Sequence, residues 1–214
     1  MTLEILIRNN YALELVRRVD ASKFKKMESV VYPRNVFGIA SEERGLPNKT
    51  VENPIALFAS AKSNSMGVSY ISVDKIQKNE DLIDRYKVII GKVVPRGGEV
   101  GIDPKIGYRV TSTIQVLYPG SVFSDSYLLL GVFENESEAE NFAKFMTLKL
   151  PRFLLHETYS SMNISKSNFR FVPYLDYSKE WTDDELFDLF ECTSEERKLV
   201  LDIIRPMEYV MNKI

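Results

Sequence analysis

The sequence predicts an α+β fold: a mixed, mostly antiparallel, β-rich core with flanking helices and a short C-terminal helical pair. Three observations lead there. Short β-branched runs are separated by loops rather than by regular helices, an order that favours α+β over a doubly wound sheet. Residues 137–155 carry an apolar stripe at helical spacing (Phe142, Phe145, Met146, Leu150). Two Thr-x-x-Glu signatures, Thr182 to Glu185 and Thr193 to Glu196, each open a short helix near the C-terminus, because the hydroxyl and the carboxylate satisfy each other's exposed backbone donors. The chain has 214 residues, 44% of them hydrophobic, enough for one large core and too apolar for a disordered tail.

In chain order, residues 3–19 place Leu3, Leu6, Ile7, Leu13, Val16 and Val19 along one helical stripe, weakened at Asn9-Asn10. Residues 29–40 read as two short strands around the turn Pro33-Arg34-Asn35, and 42–53 as a loop. Strands are predicted at 54–60 and 68–73, joined by a polar turn at 61–67. Asp74 is expected to cap a helix running to about residue 86. Strands follow at 87–94, 109–117 and 127–133, with a long Gly/Pro loop at 95–107. Ser137 and Glu140 form a capping box for the clearest helix, which Pro151 must end or kink. Residues 158–168 are a polar loop and 169–173 a short strand. The second capped C-terminal helix ends at Arg205-Pro206. The expected division is a main unit at 1–175 and an acidic helical extension at 176–214.

The sole cysteine, Cys192, excludes an internal disulfide framework, and the sole histidine, His156, excludes a multi-histidine metal site. No apolar run approaches the roughly 20 residues of a membrane span. The start, Met-Thr-Leu-Glu, has no basic-then-apolar pattern, so a cytoplasmic protein is expected. The net charge is −2, but it is unevenly placed. Residues 85–109 carry six basic and two acidic residues, 144–170 five and one, 17–26 five and one, whereas 176–204 carry three basic and ten acidic. A local positive face attracts phosphate even when the total charge is near zero.

Catalytic signatures are largely missing. Gly97-Gly98-Glu99-Val100-Gly101 follows a strand but runs into Pro104 instead of a helix, which is wrong for a Rossmann-type site. There is no phosphate-loop motif and no Pro-Pro pair of the kind an adenine methyltransferase uses. A Ser-His-Asp arrangement would rest wholly on His156, which sits in an apolar helical context. Asp103-Pro104-Lys105 has the letters of a metal-dependent nuclease but lies in the Gly-rich loop.

The stretch 165–186, Ser-Lys-Ser-Asn-Phe-Arg-Phe-Val-Pro-Tyr-Leu-Asp-Tyr-Ser-Lys-Glu-Trp-Thr-Asp-Asp-Glu-Leu, is followed by Thr193-Ser-Glu-Glu and by Ile203-Ile-Arg-Pro-Met. Earlier come Val36-Phe37-Gly38-Ile39, Tyr86-Lys87-Val88, Pro119-Gly120-Ser121, Glu140-Asn141-Phe142 and Arg152-Phe153-Leu154-Leu155. In this order the pieces resemble the C-terminal target-recognition (specificity) domain of restriction-modification adenine-specific DNA methyltransferases and type IIG restriction enzymes. The resemblance implies a sequence-specific double-stranded DNA-binding module at 1–175. It also implies that S-adenosylmethionine, magnesium and the methyl-transfer or cleavage chemistry belong to a partner methyltransferase or nuclease domain or subunit, with no cofactor in this chain and no catalysis by it alone. Two alternatives stand beside it: a metal-dependent DNA endonuclease built on Asp103 and Lys105, and a non-catalytic protein-interaction module.

A target-recognition module needs cations for phosphates and side chains that reach base edges. The candidates are Arg34 and Asn35, Lys62 and Asn64, and Lys92, Arg96 and Arg109 around the Gly/Pro loop. Lys149 and Arg152 on the basic helix, with Tyr159, Ser161, Asn163 and Lys166 in the loop after it, complete the set. Together they are expected to line a cationic, loop-fringed concavity, with the acidic end turned away from DNA or toward the partner.

Overall fold

The computed structural model describes residues 10–47, 49–59, 68–93, 107–159, 161 and 163–213. The fold is α+β, with two mixed sheets. Helix α1 (Leu13–Ala21) leads to strands β1 (Pro54–Phe58), β2 (Val68–Ser72), β3 (Tyr86–Gly91), β4 (Ile114–Leu117), β5 (Ser121–Phe123) and β6 (Tyr127–Phe133). Helices α2 (Glu136–Thr147), α3 (Lys149–His156), α4 (Asp183–Leu189) and α5 (Ser194–Ile203) follow, and strand β7 (Tyr209–Asn212) closes the order. One sheet runs β2-β1-β5 and the other β6-β3-β4-β7. Pairing is antiparallel for β1/β2, β3/β4 and β3/β6, and parallel for β1/β5 and β4/β7.

Strands β3, β4 and β6 of the four-stranded sheet are buried on both faces, which explains their continuous apolar runs, whereas the edge strand β7 is partly exposed. Val88, Ile90, Ile114, Val116, Leu128 and Leu130 join the apolar cluster of the five helices. Ile89, Leu117 and Leu129 turn the other way, onto Leu57, Val122 and Phe123 of the three-stranded sheet. Alternation of period two sends neighbours to opposite faces, and a bulge between Val88 and Ile89 adjusts β3 to β6.

The strands expected at 29–40 do not form. Asn35 (φ 59°) and Gly38 (φ 75°) are left-handed, and the segment is pinned by single bonds: Tyr32 N–H to the Leu129 carbonyl, Gln77 N–H to the Phe37 carbonyl and Asn79 Nδ2 to the Val36 carbonyl. A Cβ at Gly38 would lie 2.6 Å from Cβ of Gln77, so glycine is required there. The helix expected from Asp74 is also absent. Two short 3-10 turns, Val73–Lys75 and Glu80–Leu82, stand in its place around left-handed Asn79. Lys87 stabilises that irregular path, since its fully buried ammonium donates to the carbonyls of Leu82 (3.0 Å), Ile83 (2.9 Å) and Arg85 (2.6 Å). Residues 169–173 are not a strand either; a 3-10 stretch, Lys166–Phe171, buries Phe169 and Phe171.

The Thr182 and Thr193 capping boxes form as expected. The cap of α2 is Asn135 instead of Ser137, its side chain accepting from Glu138 N–H at 2.9 Å. The break before Pro151 falls at Leu148 (φ −60°, ψ 155°), which places the proline in the first turn of α3, where its missing N–H matters least. Asp183 of α4 caps that turn, accepting from Lys149 N–H and Leu150 N–H.

The segment expected as an acidic helical extension, 176–214, shares the main core. Leu186, Phe187, Val200 and Ile204 lie in the helical cluster, and β7 extends the four-stranded sheet. Among the described residues no helix is long and apolar enough to cross a membrane.

Candidate nucleic-acid interface

Strand direction decides what gathers at each end of the four-stranded sheet. β3 ends at Gly91, where its antiparallel neighbours β4 and β6 begin, and β7, parallel to β4, begins there too. The charged residues beyond this edge are Asp125 two before β6, Lys92 one after β3, Arg109 five before β4, Arg205 four before β7 and Glu208 next to β7. Adjacent strands lie about 4.8 Å apart, so four strands spread these groups over roughly 14 Å. Ala59, Val68 and Val93, which flank the segments 60–67 and 94–106, are at this end as well: Ala59 accepts a bond from the Tyr127 hydroxyl, and Val68 pairs with Phe58.

At the β6 side a small ionic cluster is organised by Asp125. Its Oδ2 receives Arg34 Nη2 at 2.5 Å and Lys92 Nζ at 3.3 Å, and its Oδ1 receives Asn35 N–H at 3.0 Å. Lys92 also donates to Ser41 Oγ at 3.0 Å. Burial pushes the Asp125 carboxyl up, but the bonds and charges of Arg34 and Lys92 outweigh it and hold the group below its ordinary range. The bond to Asp125 in turn raises Arg34. The Arg34 side chain keeps 58% of its exposure against 20% for Lys92, so Arg34 is the more accessible of the two cations paired with Asp125.

The loop that carries Asn163 is stitched to the same edge. Asn163 bridges Val93, and Ile164 N–H donates to the Lys92 carbonyl at 2.7 Å. Exposed Ser161 and Asn163 bond each other, Oγ of Ser161 reaching the Asn163 carbonyl at 3.0 Å. Arg109 donates through Nη2 to Thr113 Oγ1 at 2.8 Å. Arg34, Asn35, Lys92, Arg109, Ser161 and Asn163 are thus brought to one edge. No protein-family model and no curated protein matches the chain.

The other candidates lie elsewhere. Arg152 faces inward, fully buried, with Nε on the Thr147 and Leu148 carbonyls, Nη1 on the Arg109 carbonyl and Nη2 on the Arg205 carbonyl. Pro151 explains its place: the Thr147 carbonyl would have accepted from residue 151, and the guanidinium replaces the missing N–H. Burial lowers Arg152 to about 10, so it stays charged at neutral pH. Tyr159 is also buried, its hydroxyl donating to the Val110 carbonyl at 3.0 Å. Lys149 donates to the Leu201 carbonyl at the C-terminal end of α5, a favourable site for a cation. Lys166 opens on a separate cleft with Tyr32, Val132 and Tyr174. Lys62, Asn64 and Arg96 lie outside the described residues, as do Asp103 and Lys105.

The concavity expected from Lys92, Arg96, Lys149, Arg152 and Lys166 does not form among the described members, Lys92, Lys149, Arg152 and Lys166; what gathers instead is a strip along the sheet edge. Sequence reasoning missed Asp125 and Arg205. Arg205 carried a signal, a cation between a helix end and Pro206; Asp125 carried none, because its partners are distant in the chain. Among the described residues no group of His, Cys, Asp and Glu is arranged to hold a metal ion. His156 packs against Tyr108, with ring centroids 4.7 Å apart.

Proposed function

We propose that this chain is a sequence-specific double-stranded DNA-binding module of a bacterial restriction-modification enzyme. Methyl transfer or cleavage, with its S-adenosylmethionine and magnesium, belongs to a partner domain or subunit. The ordered resemblance to target-recognition domains motivates the reading. The observation that carries it is the cationic strip, Arg34, Lys92, Arg109 and Arg205, along one edge of a rigid sheet. The strip spans about the width of a major groove, about 12 Å. Asp125 and Glu208 oppose two of these charges, leaving a net of about two for phosphates. Exposed Asn163 and Ser161, on the loop stitched to Lys92, are the groups we assign to base edges, where asparagine pairs with adenine. The work is divided between them, phosphate contacts setting register and the loop side chains setting sequence.

A gel-shift with random duplex DNA under salt titration tests the reading. Binding with a log–log salt slope of about −2 is expected, since each phosphate contact contributes about −0.9. No retardation at about 50 mM salt, where such contacts are strongest, overturns it.

A further inference from the structure

The segments that lead into β4 and β7 pair at two points and part between them. Tyr108 bridges Ile204 in parallel, with Tyr108 N–H on the Ile203 carbonyl at 2.6 Å and Arg205 N–H on the Tyr108 carbonyl at 3.2 Å. Pairing resumes at Ile114 and Tyr209. Between these ties lies an open cleft of about 770 Å³ whose walls include Arg109, Thr113, Arg205 and Glu208.

One wall is held in an unfavourable backbone shape. Thr111 N–H donates to the Arg109 carbonyl at 2.9 Å across Val110, whose φ is 69°. This is the positive-φ γ-turn, rare for any residue and strained for a β-branched one. Such a shape persists only where its surroundings impose it. Here Tyr159 bonds the Val110 carbonyl from the core, and Arg152 bonds the carbonyls of both Arg109 and Arg205. One buried guanidinium thus ties the two walls together.

The arrangement concentrates positive charge. The turn sets the Arg109 guanidinium against Thr113 on the cleft wall. Among the described residues no side chain pairs with the Arg205 guanidinium. Arg109 and Arg205 both lie close enough to press on the charge of Arg152 beneath them, with Asp183 as the opposing group. Glu208, the one acid on the walls, is exposed. An oxyanion between two forked donors relieves this repulsion, and guanidinium geometry fits phosphate in two-point contacts.

We propose that the cleft between residues 109–113 and 205–210 is a phosphate-oxyanion site, with Arg109 and Arg205 as its donors and Arg152 as the positioning residue that fixes both walls. A DNA backbone phosphate is the source that the reading above supplies. The inference rests on that reading for the source, and the chemistry applies equally to a free phosphorylated molecule.

The test uses the full chain and the variants R109Q and R205Q, which keep the carbonyls that Arg152 needs, with R205K as the charge-retaining partner. Unchanged urea midpoints establish that each is folded. Calorimetry with inorganic pyrophosphate and salt-titrated duplex binding are the two readouts. The expected result is pyrophosphate binding lost in R205Q and R109Q, and a duplex salt slope shallower by about 0.9 in each but restored in R205K. Duplex binding with slopes unchanged in the glutamine variants and no pyrophosphate binding overturns the site and leaves the DNA reading standing. Arginine-dependent pyrophosphate binding without duplex binding supports the site, assigns it to a free phosphorylated ligand and overturns the DNA reading. Binding of neither overturns both.

Discussion

Replacing Arg152 with methionine removes the donors of four hydrogen bonds to main-chain carbonyls, those of Thr147, Leu148, Arg109 and Arg205. The side chain is fully buried, so water does not replace those donors without opening the core. The Arg109 carbonyl keeps the Thr111 N–H, each carbonyl left unpaired costs about 1 kcal/mol or more, and relief of burying a charge offsets part of the total. The net loss is about 2–4 kcal/mol, a large share of the roughly 5–15 kcal/mol that stabilises a domain. Lysine at this position keeps the charge but has no planar fork to span the two walls and the helix break, so R152K falls between the two. The assay is urea unfolding followed by the fluorescence of the sole tryptophan, Trp181. An R152M loss below about 1 kcal/mol with an unchanged denaturant slope contradicts this, since it shows that the Thr147, Leu148 and Arg205 carbonyls find other partners.

Lys87 gives a pH-dependent counterpart. Burial pushes it down to about 7 from the ordinary 10.5, so between those values the unfolded chain holds a proton that the folded one does not. Stability therefore rises with pH from about 7 toward 10, at up to about 1.4 kcal/mol per unit. The urea midpoint measured at about pH 7 and about pH 9.5 reads this, and K87M abolishes the rise while costing about 1–2 kcal/mol, because the Leu82 and Ile83 carbonyls keep the backbone donors Arg85 N–H and Gly120 N–H and the Arg85 carbonyl is left unpaired. At the start of α2, N135A costs about 1 kcal/mol, whereas S137A stays within about 0.5, as thermal melts of the pair will show. D125N removes the carboxylate that neutralises part of the strip, so duplex binding tightens and its salt slope steepens by about 0.9; weaker binding shows instead that Asp125 acts by holding Arg34 and Lys92 in place.

The elements legible in the sequence are those decided locally. β1, β2, β3 and β6 are β-branched or aromatic runs bounded by turn residues, and the two threonine caps need only a residue three positions on. Residues 74–86 offered a cap and helical spacing, yet the distant bond from Asn79 to the Val36 carbonyl and the Lys87 ammonium folding back on carbonyls two to five residues before it decided the path. The strands β5 and β7 are short, and each pairs in parallel with a strand far along the chain, so no local pattern marks them. The candidate site divides in the same way. Arg34, Lys92 and Arg109 sit in loops by composition alone. The inward turn of Arg152 was encoded in the adjacent Pro151, which leaves a carbonyl to satisfy, but the depth of burial came from α5 and the segment before β7. Asp125 is fixed by Arg34 and Lys92, 91 and 33 residues away.

One comparison bears most directly on the sheet-edge strip: equilibrium duplex affinity of the unaltered chain across a salt series, set against a variant with Arg34, Lys92, Arg109 and Arg205 all changed to glutamine. The account requires a steep loss of affinity with salt in the first and a nearly flat, weak response in the second. Equal affinities and equal salt dependence in the two would contradict it outright, because the cations on that edge would then have no share in the contact.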